Sequence, residues 1–582
     1  MVRVRVNRIA MGLAAAALAG AAAAQDADTL TRQREAYDAV AAKSVIDLQM
    51  FRDTVAATDA ETGQHVTLIS LNPGVGAWYL LQLRDGPDGK PIEFHLENPD
   101  PDSQSVALRL GTAPALLLTT AKGETICTPW ADGAAALTDA RKSGTAYAPI
   151  CDGGLFLRNR VTGARTSIET ATDFLRDNVW GGETIVRFVR DNFYKDSQLE
   201  TSDALGTGGV GGVDAGPNPM QGNGAPEDQT VISTLLDFGL KGAQPGRMTI
   251  GQWYPVDGLE GVFASAFQPR AISDGVFATP GANRLDGVES RATGYMVAFD
   301  LGLYDIGYAV GTDHPALGWS SRPPSSVRPR GLPGPDGIST AQPLVTLGMV
   351  NPVIASRAVA TFTGGFKRQH GAFKYGDYAG THLGHHYGFI EKGVVLSKLQ
   401  PDLSTLYRLT DGTIVMKTWQ ESDNALLPKI TFARQNGVPL VVTDPATGQP
   451  VPGDRVTQWG PGNWSGSADA DLRTLRAGAC MAQANGHRYL IYGYFSTATP
   501  SAMARTFQAY GCNYAMLLDM NALEHTYLAL YVAQGGKRHV EHLVPGMSLI
   551  EKKARGGTII PRFIGFADNR DLFYLTRKEP KP

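Results

Sequence analysis

The sequence predicts an α+β protein, a β-rich N-terminal module followed by a second half built on a mixed sheet. Three observations predict it. Between His65 and Thr120, five apolar runs are separated by turn residues, the pattern of antiparallel strands. Residues 488–519 read as strand, helix, strand. Gly 67 and Pro 35 together make 102 of 582 residues, which suits loops and strands better than a helical bundle.

The elements follow in chain order. Arg3, Arg5 and Arg8 precede an apolar run, Ile9 to Ala24, that ends in three alanines. This is the pattern of a secretory signal peptide over 1–24. No Cys sits near the cleavage point, so no lipid anchor is indicated. Leu30, Tyr37, Val40, Ile46, Leu48 and Phe51 suggest a helix over 29–58. The strand runs are HVTLISL (65–71), AWYLLQL (77–83), PIEFHL (91–96), SVALRL (105–110) and PALLLTT (114–120). Helical character returns at 166–178, where Thr166 and Glu169 have capping-box spacing. Residues 201–228 lose periodicity and read as a Gly/Pro-rich linker or mobile loop. GTGGVGG within it lacks the helix and Lys of a phosphate-binding loop, so no cofactor is implied. The expected domains are therefore 25–200, of unknown role, and 229–582. In the second, RYLIYGYF (488–495) is a strand, Thr499 an N-cap, Pro500 the first helical residue and Gly511 the C′ position. NYAMLL (513–518) closes a βαβ crossover with parallel strands, leaving Asp519 at a carboxyl end.

Composition narrows the function. Lys+Arg 53 against Asp+Glu 56 gives a formal charge of −3. Removing 1–24 takes away three Arg and no acid, leaving 50 against 56, or −6. Nothing here matches a nucleic-acid backbone. No later run of about 18 apolar residues occurs, so no membrane span is expected after cleavage. The reading is a periplasmic or secreted protein. Four cysteines, Cys127, Cys151, Cys480 and Cys512, then suggest disulfides. Proximity pairs Cys127 with Cys151 and Cys480 with Cys512, with three connectivities open. A catalytic cysteine is the alternative; the spacing fits no zinc ribbon.

Further signals come in order along the second half. AVATFTGGF (358–366) ends in Gly364-Gly365-Phe366; YGFIEKG (387–393) follows, then 431–444, Arg476 and the unit 488–519 ending in Leu-Asp. In this series the chain resembles the phosphodiester glycosidase family, over about 350–535. That family includes the enzyme that removes N-acetylglucosamine from mannose-6-phosphate tags. The sequence has Thr363 where the family has Asn and Lys367 where it has Phe. Asp519 is followed by Met520-Asn521-Ala522 rather than Gly-Gly-Gly-Ser. The resemblance implies cleavage of a glycosidic bond to a phosphate or similar anion, with a carbohydrate or sugar-phosphate ligand.

The candidate residues carry their own chemistry. Asp519, at a strand end, can act as acid, base or metal ligand. Glu524 and His525 follow within six residues, and glycoside cleavage uses paired carboxylates. His370, His382, His385 and His386 put four of 11 His within 17 residues, with Asp377 among them. Such side chains shuttle protons, contact substrate or bind metal, although the spacing matches no helical metal motif. Catalytic candidates are thus Asp519, Glu524, His525, His370, His385 and His386. Lys367, Arg368, Lys374 and Arg476 are candidates for an anion, Trp459 and Trp464 for a sugar face, and the resemblance implies a substrate-binding role for Gly364 and Gly365. Ser496 and Thr497 lack a nucleophile elbow. Two other readings stand beside the hydrolase. One is a non-catalytic binder of glycan or protein with a degenerate glycosidase fold; the other is a metal-dependent hydrolase using the His cluster.

Overall fold

The computed structural model describes Glu35 and residues 42–579, apart from 87–88, 168, 172–173, 175–194, 208–229, 315–337, 368–386 and 460–468. The signal segment 1–24 lies outside the described residues.

The five strand runs are strands. β1 (Asp53–Thr58), β2 (Gln64–Ser70), β3 (Trp78–Asp85) and β4 (Ile92–Glu97) form an antiparallel meander. β5 (Gln104–Arg109), β6 (Ala115–Thr120) and β7 (Gly123–Cys127) make a separate three-stranded sheet. β8 (Tyr147–Ile150) and β9 (Leu155–Arg158) return to the first, giving the order β1-β2-β3-β4-β9-β8. One element is corrected here. Over 42–58 the helix expected over 29–58 gives way to the 3₁₀ turn Ile46–Leu48 and then to β1; apart from Glu35, residues 29–41 lie outside the described residues. The β-branched residues of DTVAAT gain a full ladder with β2, which outweighs local helical spacing.

The second half holds an eight-stranded sheet. Its order is Trp253–Pro255, Val262–Phe267, Gly294–Asp300, His487–Ala498, Thr474–Ala484, Cys512–Met520, Val441–Thr443, Pro450–Pro452. The strand–helix–strand unit is present, with Thr499 Oγ1 accepting from the Ala502 amide (3.2 Å), Pro500 at the first position and Gly511 at φ +71°. The two strands run parallel but are not neighbours. Thr474–Ala484 lies between them and pairs antiparallel with both. All pairings between the named strands are antiparallel, and among the described residues the helices are few and short. The α+β expectation is therefore corrected to a roughly all-β architecture. The wholly buried helix Pro500–Ala509 supplied one part of the sequence signal for a mixed class.

Two five-stranded sheets complete the scaffold. One runs Tyr304–Ala309, Leu572–Arg577, Ala358–Thr363, Leu528–Gln534, Lys537–His542; the other runs Val394–Ser397, Phe389–Glu391, Ile430–Gln435, Ser404–Leu409, Ile414–Thr418. Residues 201–228, read as a linker, begin with the strand Ala204–Thr207, which pairs with Thr230–Ser233; 208–228 lie outside the described residues. Val45, Trp78 and Leu80 share one apolar cluster with Tyr304, Phe362 and Phe573.

The cysteines pair as 127–151 and 480–512, with Cα–Cα distances of 5.6 and 5.8 Å. Cys480 and Cys512 are 0% exposed, whereas Cys127 and Cys151 are half-buried. Reduction by a thiolate needs access to the sulfur. Under native conditions dithiothreitol is expected to open Cys127–Cys151 first and Cys480–Cys512 only on unfolding. Mass spectrometry of iodoacetamide adducts reads the order. Among the described residues no helix is long and apolar enough to cross a membrane.

Where the N-terminal sheet meets the second half, polar groups are buried. Glu97 pairs with Arg158 and accepts from Trp78 Nε1 (3.0 Å) and Asn351 Nδ2 (2.8 Å). Arg158 covers the Trp78 ring at 4.2 Å and approaches Glu391 at 3.5 Å. Burial pushes the Glu391 carboxyl up to about 7, against the opposing pull of Arg158 and the Val310 amide. A carboxyl with a raised folded value holds its proton longer in the folded state, so stability falls as pH rises from 4.5 to about 7. Glu391→Gln is expected to flatten that slope, by up to about 3 kcal/mol at pH 8. Urea unfolding at pH 5 and pH 8 measures it.

Candidate functional site

Asp519 is the penultimate residue of the strand Cys512–Met520 and is 2% exposed. Its Oδ1 accepts from the Met520 amide (2.8 Å) and its Oδ2 from Arg570 (2.9 Å). Asn521, at φ +81°, turns the chain back on itself. That turn returns His525 to the strand end, with Nδ1 2.9 Å from the Met520 carbonyl and Nε2 2.6 Å from Arg570. A guanidinium only donates, so Nε2 accepts and the ring carries its hydrogen on Nδ1.

Arg570 is the junction of the cluster. Besides Asp519 and His525 it meets Glu169 at 2.9 Å. Glu169 also meets Lys367 at 3.1 Å and accepts from Asn569 Nδ2 at 2.8 Å, across 400 residues of sequence. Lys367 reaches Asp313 at 3.0 Å, and Arg165 also pairs with Asp313. Burial pushes the Glu169 carboxyl up, but Arg570 and Lys367 more than offset this and hold it well below the usual range. The predicted cap at Thr166 is half formed. The Glu169 amide donates to Thr166 Oγ1 (3.1 Å), while the Glu169 side chain leaves for the cluster. Thr166 Oγ1 in turn donates to Glu524 Oε1 (3.0 Å).

A second group adjoins the first. Asp571 pairs with His314 Nδ1 and with Arg434 Nε (2.9 Å), and accepts from Tyr308 (2.7 Å) and the Gly311 amide (3.0 Å). Burial raises its carboxyl, and His314 and Arg434 reverse that, leaving it well below the usual range. The Gly364 amide donates to the Asp571 carbonyl at 2.7 Å. Gly365 stands at φ +131°, a conformation that favours glycine, close against Asn436. A cleft of about 600 Å³ opens beside these groups, lined among others by Arg160, Arg165, Thr312, Asp313 and His314.

The sequence candidates divide as follows. Asp519, His525 and Lys367 converge on the cluster, and Gly364-Gly365 borders it. Glu524 borders it through Thr166. Arg476 is buried with its guanidinium on the carbonyls of Ala498 (2.8 Å) and Leu472 (3.0 Å) and 3.5 Å from the Met520 sulfur. Those contacts tie strand ends together. Trp459 is 3% exposed and packs in the apolar cluster around the helix Pro500–Ala509. His370, His382, His385, His386, Asp377, Arg368, Lys374 and Trp464 lie outside the described residues. Among the described residues no three His, Cys, Asp or Glu are grouped to hold a metal ion.

Sequence reasoning missed Glu169, Asp313, His314, Arg570 and Asp571 as site residues. One signal was visible. Asp568-Asn569-Arg570-Asp571 directly precedes the apolar strand LFYL, and all four are at most 3% exposed. Four buried polar residues in a row are rare unless each is paired.

No family model and no curated protein matches the chain. Among solved structures, the auto-inhibited, pro-peptide-bearing catalytic domain of zebrafish N-acetylglucosamine-1-phosphodiester alpha-N-acetylglucosaminidase is a weak structural neighbour. It aligns with a TM-score of 0.29 and 11% identity, covering 56% of this chain and 85% of that one.

Proposed function

We propose that the chain is an exported glycosidase-like hydrolase acting on a sugar phosphodiester or a related envelope glycan. The observation that carries this reading is the convergence of Lys367, Asp519, His525 and Arg570 at strand ends. Two cations, a carboxylate and an imidazole in one water-poor cluster suit the cleavage of a bond to an anion.

In this reading Lys367 and Arg570 hold the phosphate oxygens. Arg570 offers a planar fork and Lys367 a point charge. Glu169 is the resident counter-ion that the incoming phosphate displaces. The water oxygen bonds to the anomeric carbon while the bond from that carbon to the bridging phosphate oxygen breaks, its electron pair leaving with the phosphomonoester. Asp519 takes the proton from that water, and His525 holds the Arg570 guanidinium in place. Glu524 is the second carboxylate, held back by Thr166.

A second reading rests on a different observation: Asp519, Glu169 and Asp313 are already ion-paired. That suits a binder of anionic glycan without turnover. A panel of sugar phosphodiesters separates the two. The hydrolase releases sugar, and Asp519→Ala, with folding checked by its melting curve, abolishes release. Binding of the same compounds without release supports the binder. Undiminished turnover in Asp519→Ala removes Asp519 from the mechanism.

A further inference from the structure

One surface hairpin sets exposed cations beside exposed aliphatic side chains. Lys552–Lys553 pairs with Ile559–Ile560, Lys552 opposite Ile560 and Lys553 opposite Ile559. The tip closes on itself, with the Ala554 amide on the Thr558 carbonyl (2.9 Å) and the Gly557 amide on the Ala554 carbonyl (3.0 Å). Lys552, Lys553 and Arg555 are exposed. Leu549, just before the hairpin, is 85% exposed, and Ile559 is 40% exposed. The base is firmly held. Met547 and Phe563 are fully buried, and Glu551 turns inward to His542 Nε2 (2.8 Å) and Tyr527. Leu549 is therefore displayed by a fixed scaffold.

We propose that this hairpin, with Leu549, is a contact site for a bilayer containing anionic phospholipid. Residues 552–560 hold three cations and no acid, in a chain whose formal charge is −3. The acids nearest in sequence are directed elsewhere: Glu551 inward to His542 and Tyr527, and Asp568 to Arg562 (2.8 Å). Aliphatic side chains beside cations are the chemistry of an interfacial anchor. The apolar groups enter the headgroup boundary and the cations meet lipid phosphates. A protein partner for so exposed a leucine would ordinarily be met by a broader apolar patch than two aliphatic side chains provide. The inference is independent of the proposed hydrolase.

The test is co-sedimentation of the purified full chain with vesicles. Binding is expected to phosphatidylglycerol–phosphatidylcholine vesicles, weakening with salt, and to be at least about tenfold lower on phosphatidylcholine alone. Leu549→Asp, at an exposed position, is expected to reduce partitioning about tenfold with an unchanged melting curve. Lys552→Glu with Lys553→Glu should lower it further. No binding to anionic vesicles at low salt overturns the proposal. So does equal binding by wild type and all variants, or binding to heparin without binding to vesicles.

Discussion

Replacing Arg570 with methionine is expected to cost about 3–5 kcal/mol of folding stability and to abolish any activity of the cluster. Arg570 is 3% exposed and bridges Asp519 and Glu169, each at 2.9 Å, while donating to His525. Its loss leaves Asp519 buried with one backbone amide for company, and leaves Glu169 to Lys367 and Asn569. An uncompensated buried carboxylate is costly because neither water nor a cation solvates it. Arg570→Lys should fall between wild type and methionine, since a point charge cannot span all three partners. The discriminating variant combines Arg570→Met with Asp519→Asn and Glu169→Gln. With the stranded charges removed, it should recover much of the loss. Urea unfolding of the three proteins reads this directly. A loss under about 1 kcal/mol for methionine alone would contradict a buried junction.

Asp571→Asn is expected to be comparably severe, about 3–5 kcal/mol at neutral pH. It takes the paired carboxylate from Arg434, which is fully buried and keeps the carbonyls of Gln435 and Phe366, and it uncouples His314. The pH dependence has a definite sign. The folded carboxyl lies below its ordinary value of 3.8, so its contribution is complete above 3.8 and erodes as pH falls below it. Glu169 acts in the same direction below 4.5. Wild type should lose stability steeply in acid, and Asp571→Asn should show a shallower acid limb from a lower plateau. A wild-type curve with the same acid slope as the variant would contradict the pairing of Asp571.

What the sequence made legible was local. The runs between 64 and 120 alternate or cluster apolar residues between strong turns, and each became a strand. Thr499, Pro500 and Gly511 cap a helix through contacts within a few residues. The disulfides join neighbours in sequence. What it concealed was long-range. Thr474–Ala484 inserts between two strands that looked adjacent, converting an apparent parallel pair into antiparallel ladders. β1 is a strand because β2 is beside it, and Asp53–Thr58 alone does not say so. The site shows the same division. Asp519, His525 and Lys367 stood out by motif and position. Glu169 joins them from a predicted helical cap, and His314 meets Asp571 across 257 residues. Arg476 stood out as an anion candidate, and its guanidinium rests on the carbonyls of Ala498 and Leu472, contacts that its sequence position does not announce.

We propose that Lys367, Asp519, His525 and Arg570 form an anion-recognising hydrolytic site. The most direct measurement is kcat/KM for a glycosyl phosphodiester and for the neutral methyl glycoside of the same sugar, in wild type and in Asp519→Ala. The account predicts turnover of the phosphodiester, little or none of the neutral glycoside, and loss of turnover in the variant. Equal rates on the two substrates, or the same phosphodiester rate without Asp519, would contradict it.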